Sequence, residues 1–213
     1  MKPFSCPSAR LLRHALLLAL VVALAGCGLA TRPATVKQTY LLDPRPPAKA
    51  AAPAHQATLK VGSIGVGTAY RGRSFVYRED DLRYESDFYN EFFVSPSAMF
   101  TADVGNALAA AGIFREVLPA SANALGDFVV EGLVSELYGD YRDAAKPAAV
   151  MSAKFFLIDN RGVNGVPIWQ TELQQRVPMT SRSPDALAAA YTKAWTAMLA
   201  DLARELAAVK LPR

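Results

Sequence analysis

From Thr58 onward the chain changes its hydrophobic period in an order that outlines a fold. Leu59, Val61, Ile64 and Val66 predict a first strand, with Gly62, Gly65 and Gly67 loosening its second half. Phe75-Val76-Tyr77 and Leu82-Arg83-Tyr84 predict two short strands around the acidic turn Glu79-Asp80-Asp81. Phe88 to Val94 is aromatic-rich and strand-like. Ser95-Pro96 opens a helix, with Ser as N-cap and Pro at the first helical position. Met99, Phe100, Val104, Leu108 and Ala111 keep helical spacing up to the natural stop at Gly112. Ile113 to Leu118 predicts a short strand and Pro119 to Gly126 a loop. Three longer strands follow, at Phe128 to Tyr138, Val150 to Ile158 and Ile168 to Val177. The turn Asp159-Asn160-Arg161-Gly162 and the other short connection make these an antiparallel meander. Ser183-Pro184-Asp185 repeats the capping pattern and opens a last helix, whose stripe runs Leu187, Tyr191, Trp195, Met198, Leu202, Leu206. That face must cover a sheet. The expected fold class is α+β: one domain over residues 58–210, a mainly antiparallel sheet packed by two amphipathic helices.

Residues 27–57 read differently. Pro33, Pro44, Pro46, Pro47 and Pro53 sit among alanines and lysines, a composition that resists packing and predicts a tether. A flexible coil of about 30 residues would reach roughly 30 Å root-mean-square. Tyr40-Leu41-Leu42 interrupts it and is expected to dock on the domain as an edge strand.

The first 26 residues have the layout of a secretory signal. Lys2, Arg10 and Arg13 supply positive charge, no acidic residue precedes Asp43, and Ala15 to Ala25 is an unbroken run of Ala, Leu and Val. At ~1.5 Å per residue that run is too short to span a bilayer and suits a signal core. It ends in Leu24-Ala25-Gly26-Cys27, which resembles the lipobox of bacterial lipoproteins. The resemblance implies cleavage between Gly26 and Cys27, a diacylglycerol on the Cys27 thiol and an acyl group on its new amino terminus. Several acyl chains at ~0.8 kcal/mol per buried methylene give stable anchoring. Gly28 stands where an aspartate commonly retains such proteins in the inner membrane of enteric bacteria, so the expected location is the outer membrane, facing the periplasm.

Removing the signal changes the chemistry on offer. Lys and Arg fall from 23 to 20 while Asp and Glu stay at 19, so a net charge of +4 becomes about +1. Nothing in that balance argues for nucleic acid. Of two cysteines, Cys6 leaves with the signal and Cys27 is lipidated, which excludes a disulfide, a thiolate metal site or a cysteine nucleophile in the domain. Of two histidines, His14 leaves and His55 remains in the tether, a poor basis for a serine-histidine relay with Ser63 of Gly62-Ser63-Ile64-Gly65. Gly65-x-Gly67 lacks the third glycine of a dinucleotide site and reads as a bulge. Glu79-Asp80-Asp81 could hold calcium weakly; a solvated hairpin turn is the simpler reading. No catalytic residue, metal site or cofactor is expected beyond the covalent lipid on Cys27.

In this order and spacing the chain resembles the ABC-type transport auxiliary lipoproteins, the PqiC-like family. The resemblance rests on the lipobox, Tyr40-Leu41-Leu42, the Leu59–Val66 strand and the Pro-started helix ending before Phe114-Arg115-Glu116-Val117. The Phe155-Leu157-Asp159 strand, Pro167-Ile168-Trp169 and the Ala-rich last helix complete it, over roughly residues 38–208. Where family members often show Arg-Trp-x-x-Pro before the first helix, this chain has Asn90-Glu91-Phe92-Phe93-Val94-Ser95-Pro96. The resemblance implies a non-enzymatic periplasmic component of a system carrying lipids between two membranes. Its implied companions are an ATPase, a permease and an MCE-domain protein that forms the conduit. No Gly-x-x-x-x-Gly-Lys-Ser/Thr loop occurs, in keeping with an ATPase carried by another subunit. Two other readings stay open, a periplasmic carrier that itself holds phospholipid and a general envelope scaffold.

The best candidate contact surface is Phe88-Tyr89-Asn90-Glu91-Phe92-Phe93. Phe88, Tyr89, Phe92 and Phe93 put large rings on both faces of a strand, so if one face is core the other is exposed or covered by a partner.

Overall fold

A computed structural model describes residues 36–212 together with His14. The signal core, the cleavage site at Gly26 and the lipidation site at Cys27 lie outside the described residues. Among those described, no helix is long and apolar enough to cross a membrane.

The central element is β6 (Phe128–Asp140), paired along its whole length with antiparallel β7 (Ala148–Asp159), which pairs in turn with antiparallel β8 (Val166–Pro178). That is the expected meander. The other edge of β6 is divided between two partners. β2 (His55–Val66) runs parallel to its first half, up to Val66 opposite Val134, and β5 (Phe114–Leu118) lies parallel to β2 as the outer strand. Beyond that point β3 (Ser74–Arg78) takes over, pairing Tyr77 with Gly139 and Arg78 with Asp140. β3 carries antiparallel β4 (Tyr84–Phe92), and β1 (Gln38–Tyr40) runs parallel to β4 at the edge of this branch. The sheet is therefore mixed, with its longest ladders antiparallel.

The helices start where the sequence places them. Helix α1 (Pro96–Ala111) has Ser95 accepting from the Ala98 N–H and ends at Gly112, whose φ of 63° suits a residue without a Cβ. Helix α2 (Pro184–Ala208) has Ser183 accepting from Ala186 N–H. Every member of the expected α2 stripe, from Leu187 to Leu206, is fully buried. Trp195 is its centre: the Phe100 ring of α1 lies 4.7 Å away and Phe155 of β7 6.4 Å away. Strand β2 breaks register between Val61 and Ile64, so the irregularity sits at Gly62-Ser63 instead of Gly65-x-Gly67. The backbone freed there is satisfied by α1: Thr101 Oγ1 accepts from Ile64 N–H at 3.0 Å, and Ser97 donates to Ile64 O at 2.6 Å.

The expected boundary at residue 57 moves toward the N-terminus. Tyr40-Leu42 docks as expected, through β1 and a buried Leu42. The Pro-rich segment that follows is irregular yet fixed by partners distant in sequence. Arg45 N–H donates to Thr196 Oγ1 of α2 at 3.1 Å, and Ala50 N–H donates to the Ala111 carbonyl at the end of α1 at 2.8 Å. His55, expected in the tether, is buried in β2 and gives its Nε2–H to the Leu206 carbonyl at 2.8 Å. Prolines block regular pairing, but loop backbone can still satisfy the open ends of helices. A second correction concerns the short strand expected at Leu82-Arg83-Tyr84. Leu82 and Arg83 form the hairpin turn, and Tyr84 begins a single β4 that absorbs the next aromatic stretch.

Two polar groups stand out in this framework. Asp140, only 2% exposed, accepts from Arg142 at 2.8 Å and from Arg176 at 2.6 Å, joining β6 to β8. These guanidinium bonds outweigh burial and hold its carboxyl well below the usual range. Its contribution to stability is thus fully present above the unfolded value of 3.8 and is lost as pH falls through the folded value. Asp140→Asn should lose about 1–3 kcal/mol at neutral pH and show a shallower loss of stability below pH ~4 in urea melts across pH. Tyr191 is fully buried, and its hydroxyl finds no hydrogen-bond partner among the described residues. Tyr191→Phe should therefore raise stability by about 1 kcal/mol, read as a higher urea midpoint at unchanged slope.

Candidate functional site

Strand β4 does not follow a simple alternation, and the reason lies in its register. Ser74 pairs with Glu91 whereas Val76 pairs with Ser86, so residues 87–90 are extruded opposite the single residue Phe75. Asp87 staples this bulge. One carboxylate oxygen accepts from the N–H groups of Tyr89 at 2.7 Å and Asn90 at 3.0 Å; the other accepts from the Tyr77 hydroxyl at 2.6 Å and the Asn90 amide at 2.9 Å. Burial opposes its ionisation, but these donors prevail and hold the carboxyl below its ordinary value. The Tyr77 hydroxyl is pushed up by burial and by the bond to Asp87. The bulge is held by four hydrogen bonds to one carboxylate, and its rings are exposed.

The four aromatic residues singled out in the sequence are thereby separated. Phe92, 1% exposed, is core: its ring meets Phe75 at 4.8 Å and Tyr191 at 6.1 Å. Its place in the expected contact surface is corrected, because it follows the bulge and resumes the inward face. Phe88 and Tyr89 ride the bulge at 70% and 46% exposure, with their rings edge to face at 5.2 Å. Phe93 is 60% exposed next to the backbone bond from its N–H to the Tyr40 carbonyl. The surrounding charges are paired. Lys37 Nζ lies 4.9 Å from the Phe88 ring centroid and 3.4 Å from Glu91, which also receives Arg73 at 2.5 Å. Sequence reading missed Lys37 and Asp87. Asp87 carried a signal, since an aspartate accepting N–H groups two and three residues on is an ordinary turn pattern.

Two grooves flank α1. One, about 690 Å³, lies between the helix and the segment 41–46 and is lined by Leu41, Leu42, Pro44, Met99, Asp103 and Leu199 among others. Asp103 is its distinctive polar group. Burial pushes its carboxyl up to about 6, against the pull of the Trp195 indole N–H donated at 3.0 Å, while Asp43 adds to the rise. The other groove, also about 690 Å³, runs between Ser97, Thr101, Gly105 and Ala109 of the helix and Pro119 to Ser121.

The remaining candidates have structural employment. Asp80 accepts from Leu82 and Arg83 N–H groups, Asp81 reaches Arg142 at 3.2 Å and Glu79 reaches Arg182 at 3.9 Å, so the acidic turn is tied down by its own neighbours. Ser63 is exposed on the β2 irregularity, and His55 is committed to Leu206. Among the described residues no three His, Cys, Asp or Glu side chains gather as a metal site.

The division of the aromatics sets a stability test. Phe92→Ser should cost about 3–5 kcal/mol, whereas Phe88→Ser and Phe93→Ser should each stay within about 0.5 kcal/mol in urea melts. Equal losses at all three would refute the assignment of faces.

Comparison with known proteins locates this architecture. Protein XCC0632 from Xanthomonas campestris has a TM-score of 0.69 at 17% identity, over 78% of this chain and 92% of that one. A second solved structure, titled only as an uncharacterized protein, has a TM-score of 0.55 at 17% identity, over 77% and 99%. At these identities the likeness is one of fold. No curated protein matches. The family model described as ABC-type transport auxiliary lipoprotein component matches residues 40–203, from the docked β1 into α2. The chain belongs to the ABC-type transport auxiliary lipoprotein family.

Proposed function

We propose that this protein is a non-enzymatic component of an ABC/MCE-type intermembrane lipid transport system. Anchored in the outer membrane by lipid on Cys27, it docks or stabilises the periplasmic conduit. The observation that carries this reading is family membership across residues 40–203, nearly all of the folded head. Three features support it. The Leu24-Ala25-Gly26-Cys27 sequence supplies an anchor site. The polar side chains that first invite a catalytic or metal-binding reading are spent on internal bonds: His55 on Leu206 and Asp80 on its own turn. The head also offers rigid exposed surface, as a docking part requires.

A second reading, a carrier that holds phospholipid itself, draws on the apolar groove of about 690 Å³ beside α1. That volume falls within the usual range for small-molecule sites, and a mainly apolar lining with a few polar groups, Asp43, Arg45, Asp103 and Asn106, fits an acyl tail with a polar end.

Crosslinking and pull-down from membranes, with the anchor intact, should recover an MCE-domain protein together with a permease and ATPase. Cys27→Ala should release the protein from the membrane and strongly reduce that recovery. Recovery of none of these partners would sink the proposal. Native mass spectrometry of the chain from Gly28 onward should show no stoichiometric phospholipid; a retained lipid would favour the carrier.

A further inference from the structure

The bulge on β4 lies beside the N-terminal edge of the folded head. Lys37, the residue before β1, places its ammonium 4.9 Å from the Phe88 ring centroid. Cys27 is ten positions earlier in the sequence. Ten residues reach at most about 34 Å when extended and roughly 17 Å root-mean-square as a coil. The docking of β1 is what makes this span short, because it moves the start of the folded head from residue 58 to the neighbourhood of Gln38. With a lipid on Cys27, the chain between them limits the distance from anchor to Lys37 to about 34 Å.

The chemistry of the bulge suits that position. Phe88 and Tyr89 present an apolar ring pair with one phenolic hydroxyl, the combination enriched at membrane interfaces. Lys37 and Arg73 stand around them and are balanced by the carboxylates of Glu91 and Asp87, so the bulge is close to neutral and its affinity for the interface rests on the rings, with Lys37 beside them. Asp87 has already fixed the loop, so little conformational freedom is lost when the rings enter the interface. A protein partner would gain from the same rings. The covalent proximity of the anchor favours lipid, since it presents the bilayer at high effective concentration before any partner arrives.

We propose that the Phe88-Tyr89 bulge, with Lys37 beside it, seats in the headgroup region of the phospholipid leaflet that holds the Cys27 lipid. It is a second, non-covalent membrane contact that orients the head. The inference rests on lipidation of Cys27, and its test separates the two.

The mature chain has no cysteine besides Cys27, so Tyr89→Cys and, as control, Val163→Cys at the fully exposed β7–β8 turn provide single labelling sites. Each variant is prepared in two ways in vesicles of phosphatidylethanolamine and phosphatidylglycerol. One is the full lipidated protein, with acylation read by mass. The other is the chain from Gly28 held by an N-terminal His tag on nickel-chelating lipid. In both, a polarity-sensitive fluorophore at position 89 should shift to the blue and be quenched by headgroup-proximal nitroxide lipids. An impermeant maleimide should react about tenfold more slowly there than at position 163. Position 163 should behave as in water. A blue shift in the tagged form alongside an unacylated native chain would keep the membrane seat and remove the anchor. Position 89 as wet as 163 in both forms would overturn the proposal. So would shielding seen only in native membranes, which would mean that a protein covers the bulge.

Discussion

The length of β6 is the constraint on which the architecture depends. Its first half is used by β2 and its last residues by β3, while β7 needs its whole opposite edge. No single strand on the β2 side spans that length, so the sheet forks. Parallel pairing is possible on the forked side because β2 and β6 are separated by β3, β4, α1 and β5, a connection long enough to return the chain in the same direction. The core runs under both sides of the fork: α2 lays Trp195 against Phe155 of β7 and Phe100 of α1, and Tyr191 against Phe75 and Phe92 of the β3–β4 branch. What extends past the fork, the β3–β4 hairpin, leans on that core through Phe75 and Phe92.

A branch of two short strands needs its outer edge covered, and β1 does so by pairing with residues 90–92. That one contact converts much of an apparent tether into domain. The segment from Leu42 to Ala54 is then stretched across both helices and held by its backbone to Thr196 and Ala111. The sequence between Cys27 and the fold is thereby shortened to about ten residues. The Asp87 staple and the Asp140 clamp serve the same end. Each spends a carboxylate on fixing a piece of the branch: Asp87 the bulge, Asp140 the junction where β3 meets β6.

Much of this was legible in the sequence because its causes are local. Two Ser-Pro caps, the α2 stripe and the β6–β7–β8 meander rest on residues within a few positions of each other, and all appear where expected. The misreadings share a cause of the opposite kind. The Pro/Ala run looked unpacked because its partners, the ends of α1 and α2, are distant in sequence. Leu82-Arg83 looked like a strand because its apolar residue alternates, although Asp80 takes its backbone for a turn. Phe92 and Phe93 were grouped with Phe88 and Tyr89 because a bulge cannot be seen in a period-two pattern. The four rings part for that reason: Phe88, Tyr89 and Phe93 are exposed, and Phe92 belongs to the core. Cys27, the expected lipidation site, stands outside the described residues.

The central claim is that residues 38–55 belong to the folded head, which leaves only about ten residues between Cys27 and the fold. Native-state hydrogen exchange on the lipidated protein in vesicles tests it most directly. The Phe93 and Ala50 amides, bonded to the Tyr40 and Ala111 carbonyls, should exchange with protection close to that of the β6–β7 ladder. Exchange of Ala50 and the 38–42 amides at free-chain rates, with the β6–β7 ladder still protected, would contradict it and return the protein to a head on a long flexible tether.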